Sequence, residues 1–285
     1  MLMSEIGTVT TDINEFTRDT DGSRVTIMGV THYGEREYYD ELQDRLDERH
    51  QDGAAIHYEL VGGPGNDTSA RIGLGGITKA LMMYPAYKAG IKFWEKLPHT
   101  VSQRQHLTLR STWENHDMST GEVMRNIKWS TATATLLGGF AMKASNLRQS
   151  FGRPKPIARK LASLKDRIDG GEGDAPTGML SKFRKARTDT LRGELEDVLL
   201  SRRNEIALNA VDSSVSDDPS REVVMLWGQG HVETLSEGLV ERGYRMIGST
   251  ALRSMDLDRV NSAWNDMHGI EDEAEQPVGE LRLAA

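Results

Sequence analysis

Two stretches of the chain share one order of apolar and polar positions. Residues 24–28 (Arg-Val-Thr-Ile-Met) are a short, mostly apolar run, which predicts a buried strand ending at Gly29. A helix is expected over 35–50, where Tyr38, Tyr39, Leu42 and Leu46 recur at helical spacing and acids occupy the first turn. Asp52 and Gly53 stop it, and 54–60 (Ala-Ala-Ile-His-Tyr-Glu-Leu) reads as a second strand. Strand, helix and strand in about 35 residues is the size of a βαβ unit. The layout recurs near the other end. Residues 221–227 (Arg-Glu-Val-Val-Met-Leu-Trp) predict a strand ending at Gly228. A helix follows over 232–242 with Leu235 and Leu239 inward, Gly243 breaks it, and 244–247 opens another strand. The repeated order is strand, Gly-x-x-His, helix, Gly, strand.

The expected fold is therefore α/β: a mixed central sheet from two related units, with a helical middle insertion or cap. Residues 1–75 and 212–270 would form the core that carries the site, and 76–211 the helical middle. The tail, 271–285, is acidic, contains Pro277 and reads as loosely ordered. Within the middle, 77–97 looks helical with a break near Pro85, and 107–109 reads as a short strand. A helix is expected over 119–147, because Ser119 and Glu122 stand in capping-box spacing. Residues 154–168 form a basic amphipathic pattern, 169–177 a Gly-rich linker, and 188–211 one long helix.

Composition narrows the chemistry. The 285 residues contain no cysteine, so disulfides, thiol nucleophiles and cysteine-held metals are excluded, and any metal must sit on His, Asp or Glu. No run approaches the ~20 apolar residues that span a bilayer. Residues 1–20 are polar and acidic, without the pattern of a secretory signal, so a cytoplasmic chain is expected. The net charge of −8 is unevenly spread. Residues 141–189 hold 12 Lys/Arg against 5 Asp/Glu, and the remainder carries a balance of −15. The basic segment would face an anionic partner, or be a solvated face paired with the rest of the chain.

The candidate site follows from the strand ends. His32 in Gly29-Val30-Thr31-His32 and His231 in Gly228-Gln229-Gly230-His231 each lie just past an apolar strand. Ligands of open α/β sheets bind outside the carboxyl ends of parallel strands. Glu59 ends the strand after the first helix, so His32, Glu59 and His231 would share one edge if all three strands run parallel. Two imidazoles and a carboxylate can hold a divalent metal or serve as base and orienter without one. Glu59 also fits a buried carboxylate paired with Arg203. His57 shares a face with Glu59, as a supporting group or a core residue. His116-Asp117 is a secondary metal-ligand candidate beside a helix cap. The glycine clusters at 62–65 and 73–76 lack the Gly-Lys-Ser/Thr ending of a phosphate loop and read as a mobile loop or lid. Trp94, Trp113 and Trp129 read as packing aromatics.

The ordered set Gly29-Val30-Thr31-His32, Ile56-His57-Tyr58-Glu59-Leu60, Leu200-Ser201-Arg202-Arg203-Asn204-Glu205-Ile206 and Val224-Met225-Leu226-Trp227-Gly228-Gln229-Gly230-His231 resembles the TraB/TIKI (PrgY-like) family, grouped with erythromycin-esterase-like and ChaN-like proteins. Trp113 to Val123 also resembles a mid-chain stretch of related proteins. The matched pieces cover about a third of the chain. The resemblance implies a mixed sheet flanked by helices, and a metal-dependent, peptidase-like hydrolase using manganese or cobalt. His32, Glu59 and His231 would be its core, and Arg203 an electrophile or substrate clamp. The chain departs from the family in more than one place: an Arg commonly follows the Glu-Leu pair closely, and here the next is Arg71, and the basic middle segment has no match in the family. The rival readings are a non-catalytic protein that sequesters a peptide or small ligand, a metal-independent esterase-like hydrolase, and nucleic-acid binding through the basic middle. The apolar content of the middle also fits a homodimer surface.

Overall fold

The computed structural model of the chain describes residues 6–60, 73–133, 135–136, 156–169 and 197–270. Residues 61–72 of the Gly-rich stretch, the charged linker past Asp169, most of the basic middle segment and the acidic tail lie outside the described residues, whereas the second glycine cluster, 73–76, is not a loop but the cap and first turn of a helix that begins at Leu74. A six-stranded sheet organises the rest, in the order β6-β4-β7-β2-β1-β8. The strands are β1 (Thr8–Arg18), β2 (Arg24–Val30), β4 (Ala55–Tyr58), β6 (Glu114–Asn115), β7 (Val223–Gly228) and β8 (Tyr244–Asp256). A separate two-stranded pair joins β3 (Tyr33–Gly34) to β5 (Val101–Ser102). Strands β6, β4, β7 and β2 are parallel neighbours, and β1 runs antiparallel to both β2 and β8. The fold is α/β with a mixed central sheet, as expected.

Period-two alternation sends each strand's side chains to opposite faces. On β7, Val224 and Leu226 enter one cluster with Tyr38, Tyr39, Leu42 and Leu46 of α1 (Arg36–Gln51). Val223, Met225 and Trp227 enter the other, with Ala207, Leu208 and Val211 of α6 (Arg202–Asp217) and Val232, Leu235 and Leu239 of α7 (Gln229–Glu241). Both faces of the parallel strands are thus covered, which is why β2 and β7 read as nearly unbroken apolar runs. Tyr39, Leu42 and Leu46 are fully buried, each worth about 1.5–3 kcal/mol over exposure.

Several boundaries differ from expectation. The middle helices include α2 (Leu74–Trp94), α3 (Gln103–His106), α4 (Thr120–Asn126) and α5 (Ala158–Asp169). Pro85 lies inside α2. Ser119 caps α4 with both halves of the capping box formed to Glu122, yet the helix expected over 119–147 is interrupted after Asn126 and helical residues resume only at 129–133. At the interruption Ile127 is fully buried, and Lys79 Nζ donates to the carbonyls of Met124 and Ile127, which satisfies the helix end. Residues 107–109 are not a strand, since Leu107 caps α3. The long helix expected over 188–211 is, where described, a π-helical turn over Asp197–Ser201 followed by α6. Strand β6 and the first turns of α6 come from the stretch expected as a helical middle, and both are built into the α/β layers. The last helix is α8 (Leu257–His268). No helix among the described residues is long and apolar enough to cross a membrane.

Candidate functional site at the carboxyl edge of the sheet

Because β6, β4, β7 and β2 run the same way, the residues that follow them meet at one edge. Glu59 comes directly after β4, and its amide donates to Leu226 O at 3.1 Å, continuing the ladder to β7. It shares the face of Ala55 and His57, the face covered by α6. Its Oε2 accepts the Gly228 amide at 2.6 Å, and its Oε1 accepts from Arg203 Nη2. Gly228 suits this position because a Cβ there would stand 3.2 Å from Glu59 Oε2.

Arg203 lies in the first turn of α6 and joins Glu59 to a second acid. Its Nε donates to Asp117 Oδ1 at 2.7 Å and its Nη2 to Asp117 Oδ2 at 2.8 Å. Asp117 follows β6, and its side chain is fully buried. His231 sits in the first turn of α7, 5 % exposed. Its Nδ1 is hydrogen-bonded to Asn204 Oδ1 at 2.5 Å, and its Nε2 lies 3.6 Å from Glu59 Oε1. An amide oxygen only accepts, so this contact places the proton on Nδ1 and turns Nε2 toward Glu59.

The two carboxyls are driven in opposite directions. Burial alone would raise Glu59, but the positive charges of His231, when protonated, and of Arg203, with the bond from the Gly228 amide, outweigh it. Its carboxyl is held well below the usual carboxylate range. At Asp117 burial wins: assisted by the charge of Glu59, it raises the carboxyl against the bonds from Arg203. Burial opposes the charge on Arg203, but Glu59 and Asp117 overcome it and push the guanidinium further above its ordinary value. Paired acids with opposed environments are what divides acid from base roles in hydrolytic sites.

A second group lies beside this network. His57, Glu114 and His116 each offer a ligand atom, and the three atoms lie within 4.8 Å of one another. His57 is fully buried, and burial, reinforced by the nearby charges of His116 and Arg221, lowers its pKa to about 3. Among the described residues this is the one His/Asp/Glu group with such spacing.

Of the residues singled out from the sequence, Glu59, Arg203 and His231 come together. His32 follows β2 on the same edge, but His32, Glu59 and His231 do not form a ligand cluster of that spacing. After Thr31 the chain enters β3, which pairs with β5, and the His32 carbonyl accepts the Gln103 amide at 2.9 Å. Both oxygens of Glu59 are engaged, one by a cation, so the donor set His32, Glu59 and His231 does not fit a divalent metal as it stands. Arg203, expected as a substrate clamp, commits Nε and Nη2 to carboxylates. Asp117, a secondary metal-ligand candidate from the sequence, is the second acid of the network. Asn204 and Glu114 were not anticipated; the signal for Glu114 is its alternation with His116. Trp94 and Trp113 are packing aromatics in the core, and Trp129 is half exposed with Lys79 Nζ 5.3 Å from its ring centroid. No known family model matches the chain, and no curated protein matches its sequence.

Proposed function

We propose that the chain is a hydrolase of peptide, amide or ester bonds, with His231 as the proton-transfer residue. The observation that carries this reading is the fixing of His231: Nδ1 is held by the buried amide of Asn204 while Nε2 faces an anchored carboxylate. At 3.6 Å, Glu59 is beyond a direct hydrogen bond to Nε2. The Nε2 lone pair is therefore available to deprotonate an attacking water, and Glu59 stabilises the imidazolium that results. Helix α7 has no side-chain cap, so its first-turn amides and its positive end can stabilise an oxyanion. Arg203 and Asp117 position Glu59. The Nδ2 of Asn204 is buried without a partner among the described residues, leaving its N–H groups for a bound substrate. A peptide or amide is the first choice of substrate, on the resemblance of the two Gly-x-x-His turns to the TraB/TIKI family. The manganese or cobalt that this resemblance implies has no step in the reaction proposed here. The test is a panel of chromogenic esters and peptide amides assayed with wild type and His231→Gln. Turnover that falls about 10²–10⁴-fold in the variant supports the reading; turnover unchanged by the substitution removes it.

A further inference from the structure

We infer that His57, Glu114 and His116 form a divalent-cation site at the outer parallel edge of the sheet. The placement follows from register. In the parallel pair β4 and β6, His57 stands opposite Glu114 and Tyr58 opposite Asn115. Register partners project to the same face, and His116 follows Glu114 by two residues, so all three side chains share the face turned toward α6. The His116 amide donates to Tyr58 O at 3.3 Å, which continues the ladder one residue further.

His57 is the anchor. Its Nε2 lies 3.1 Å from Ser214 Oγ on α6, whereas its Nδ1 is buried with no hydrogen-bond partner among the described residues. A buried polar atom left in this state costs about 1–3 kcal/mol and calls for a cause. With Nε2–H donating to Ser214, the lone pair sits on Nδ1, and the serine fixes the ring as outer partners fix metal-bound histidines. The other two side chains are partly open to solvent, with room to close on an ion. The His116 and Glu114 side chains are 30 % and 58 % exposed, and His116 Nε2 lies 2.9 Å from Glu114 Oε2. The His57 and His116 rings stand 4.3 Å apart between centroids. Donors around a tetrahedral ion at ~2.1 Å are about 3.4 Å from one another. The 4.8 Å limit on the present spacing therefore asks for at most a small movement of the exposed groups, with no change in the backbone. A plain surface ion pair accounts for Glu114 and His116, but not for the unpartnered nitrogen of His57.

Two imidazole nitrogens and one carboxylate suit zinc or cobalt better than the oxygen-seeking magnesium or calcium. The exposed side leaves further coordination positions to solvent or a small anionic ligand. This site uses none of the atoms that hold His231 and stands or falls separately from the hydrolytic reading.

The experiment takes the full chain, stripped with a chelator, and titrates it with cobalt(II), followed by visible absorption, and with zinc(II), by calorimetry. Wild type is compared with His116→Ala, Glu114→Gln, His57→Gln and His231→Gln, with a thermal melt for each. Binding of about one ion per chain is expected. It should weaken roughly tenfold or more in His116→Ala and Glu114→Gln, whose side chains reach solvent and lie outside the apolar core clusters. Binding should survive in His231→Gln. Absence of specific binding in the folded wild type overturns the site, as does binding unaffected by His116→Ala and Glu114→Gln. Loss in His231→Gln with retention in His116→Ala also overturns it, by moving the metal to the other group.

Discussion

The chain makes the turn Gly-x-x-His twice, with different results. In the first copy Gly29 lies inside β2, the strand runs on to Val30, and five residues, including β3, separate it from α1. In the second copy Gly228 is both the last residue of β7 and the cap of α7, which starts at Gln229. His231 is therefore carried into the first helical turn and buried against Asn204, while His32 stays half-buried in a loop whose carbonyl is tied to Gln103. The glycines differ too. A Cβ at Gly29 would collide with Gln229 Oε1 and stand 3.1 Å from Asp12 O and from Val232 Cγ2, whereas one at Gly228 would meet Glu59 Oε2. The first glycine lets a helix pack on the sheet, and the second lets a carboxylate reach the backbone. The position of the helix start decides which copy places its histidine in the buried network with Glu59 and Asn204.

The largest expected effect tests that asymmetry directly. His231→Gln should lower kcat/KM on any hydrolysed substrate by about 10²–10⁴-fold, and His32→Gln by less than about threefold. Equal losses at the two histidines would break the contrast. Next comes Arg203→Met, which leaves Glu59 and Asp117 facing each other without a cation. Denaturant unfolding should show a loss of about 3–5 kcal/mol. Adding Asp117→Asn should return part of it, and strict additivity of the two changes would argue against a shared network.

A pH effect comes third and belongs to His57. Its folded pKa, lowered to about 3 by burial and by the neighbouring charges of His116 and Arg221, lies below the unfolded value near 6.5. Its contribution is present in full above about pH 6.5, and it is lost at about 1.4 kcal/mol per pH unit as the pH falls toward 3. In chelator, melts of His57→Gln between pH 7 and 5 should show a shallower decline than wild type; parallel curves would contradict the assignment. The smallest effects separate the glycines. Gly29→Ala should cost about 1–3 kcal/mol of stability. Gly228→Ala should cost under about 1 kcal/mol but slow turnover, since only the reach of Glu59 is disturbed. Two equally destabilised, equally active proteins would show that the glycines do the same work.

Much of the frame was legible because its signals are local. The stripe Tyr38, Tyr39, Leu42 and Leu46 is the buried face of α1, and the Ser119–Glu122 box opens α4 as its spacing predicts. Strand β1 was hidden for two reasons. Its interior positions include the polar Thr11 and Asn14, and burial passes from the face of Ile13 to the opposite face at Asn14 and Phe16, so no single period-two apolar stripe announces it. Strand β6 has two residues, too few for any periodicity. At the site, Glu59 and His231 could be named because strand ends mark them. The partners Asp117 and Asn204 act through side-chain contacts across 86 and 27 residues of chain, to Arg203 and His231, and no local pattern encodes these. The expected three-ligand set took the two turns as equivalent, and the geometry of the helix starts makes them unlike.

In the proposed hydrolysis His231, held by Asn204 and backed by Glu59, performs the proton transfer. The measurement that tests it most directly is the pair of kcat/KM values for His231→Gln and Asn204→Ala against wild type on one hydrolysed ester or peptide amide, with folding verified by melts. The first variant should show the full loss and the second a smaller loss of about tenfold or more, because its imidazole has lost its orienting partner. Wild-type rates in both folded variants would contradict it.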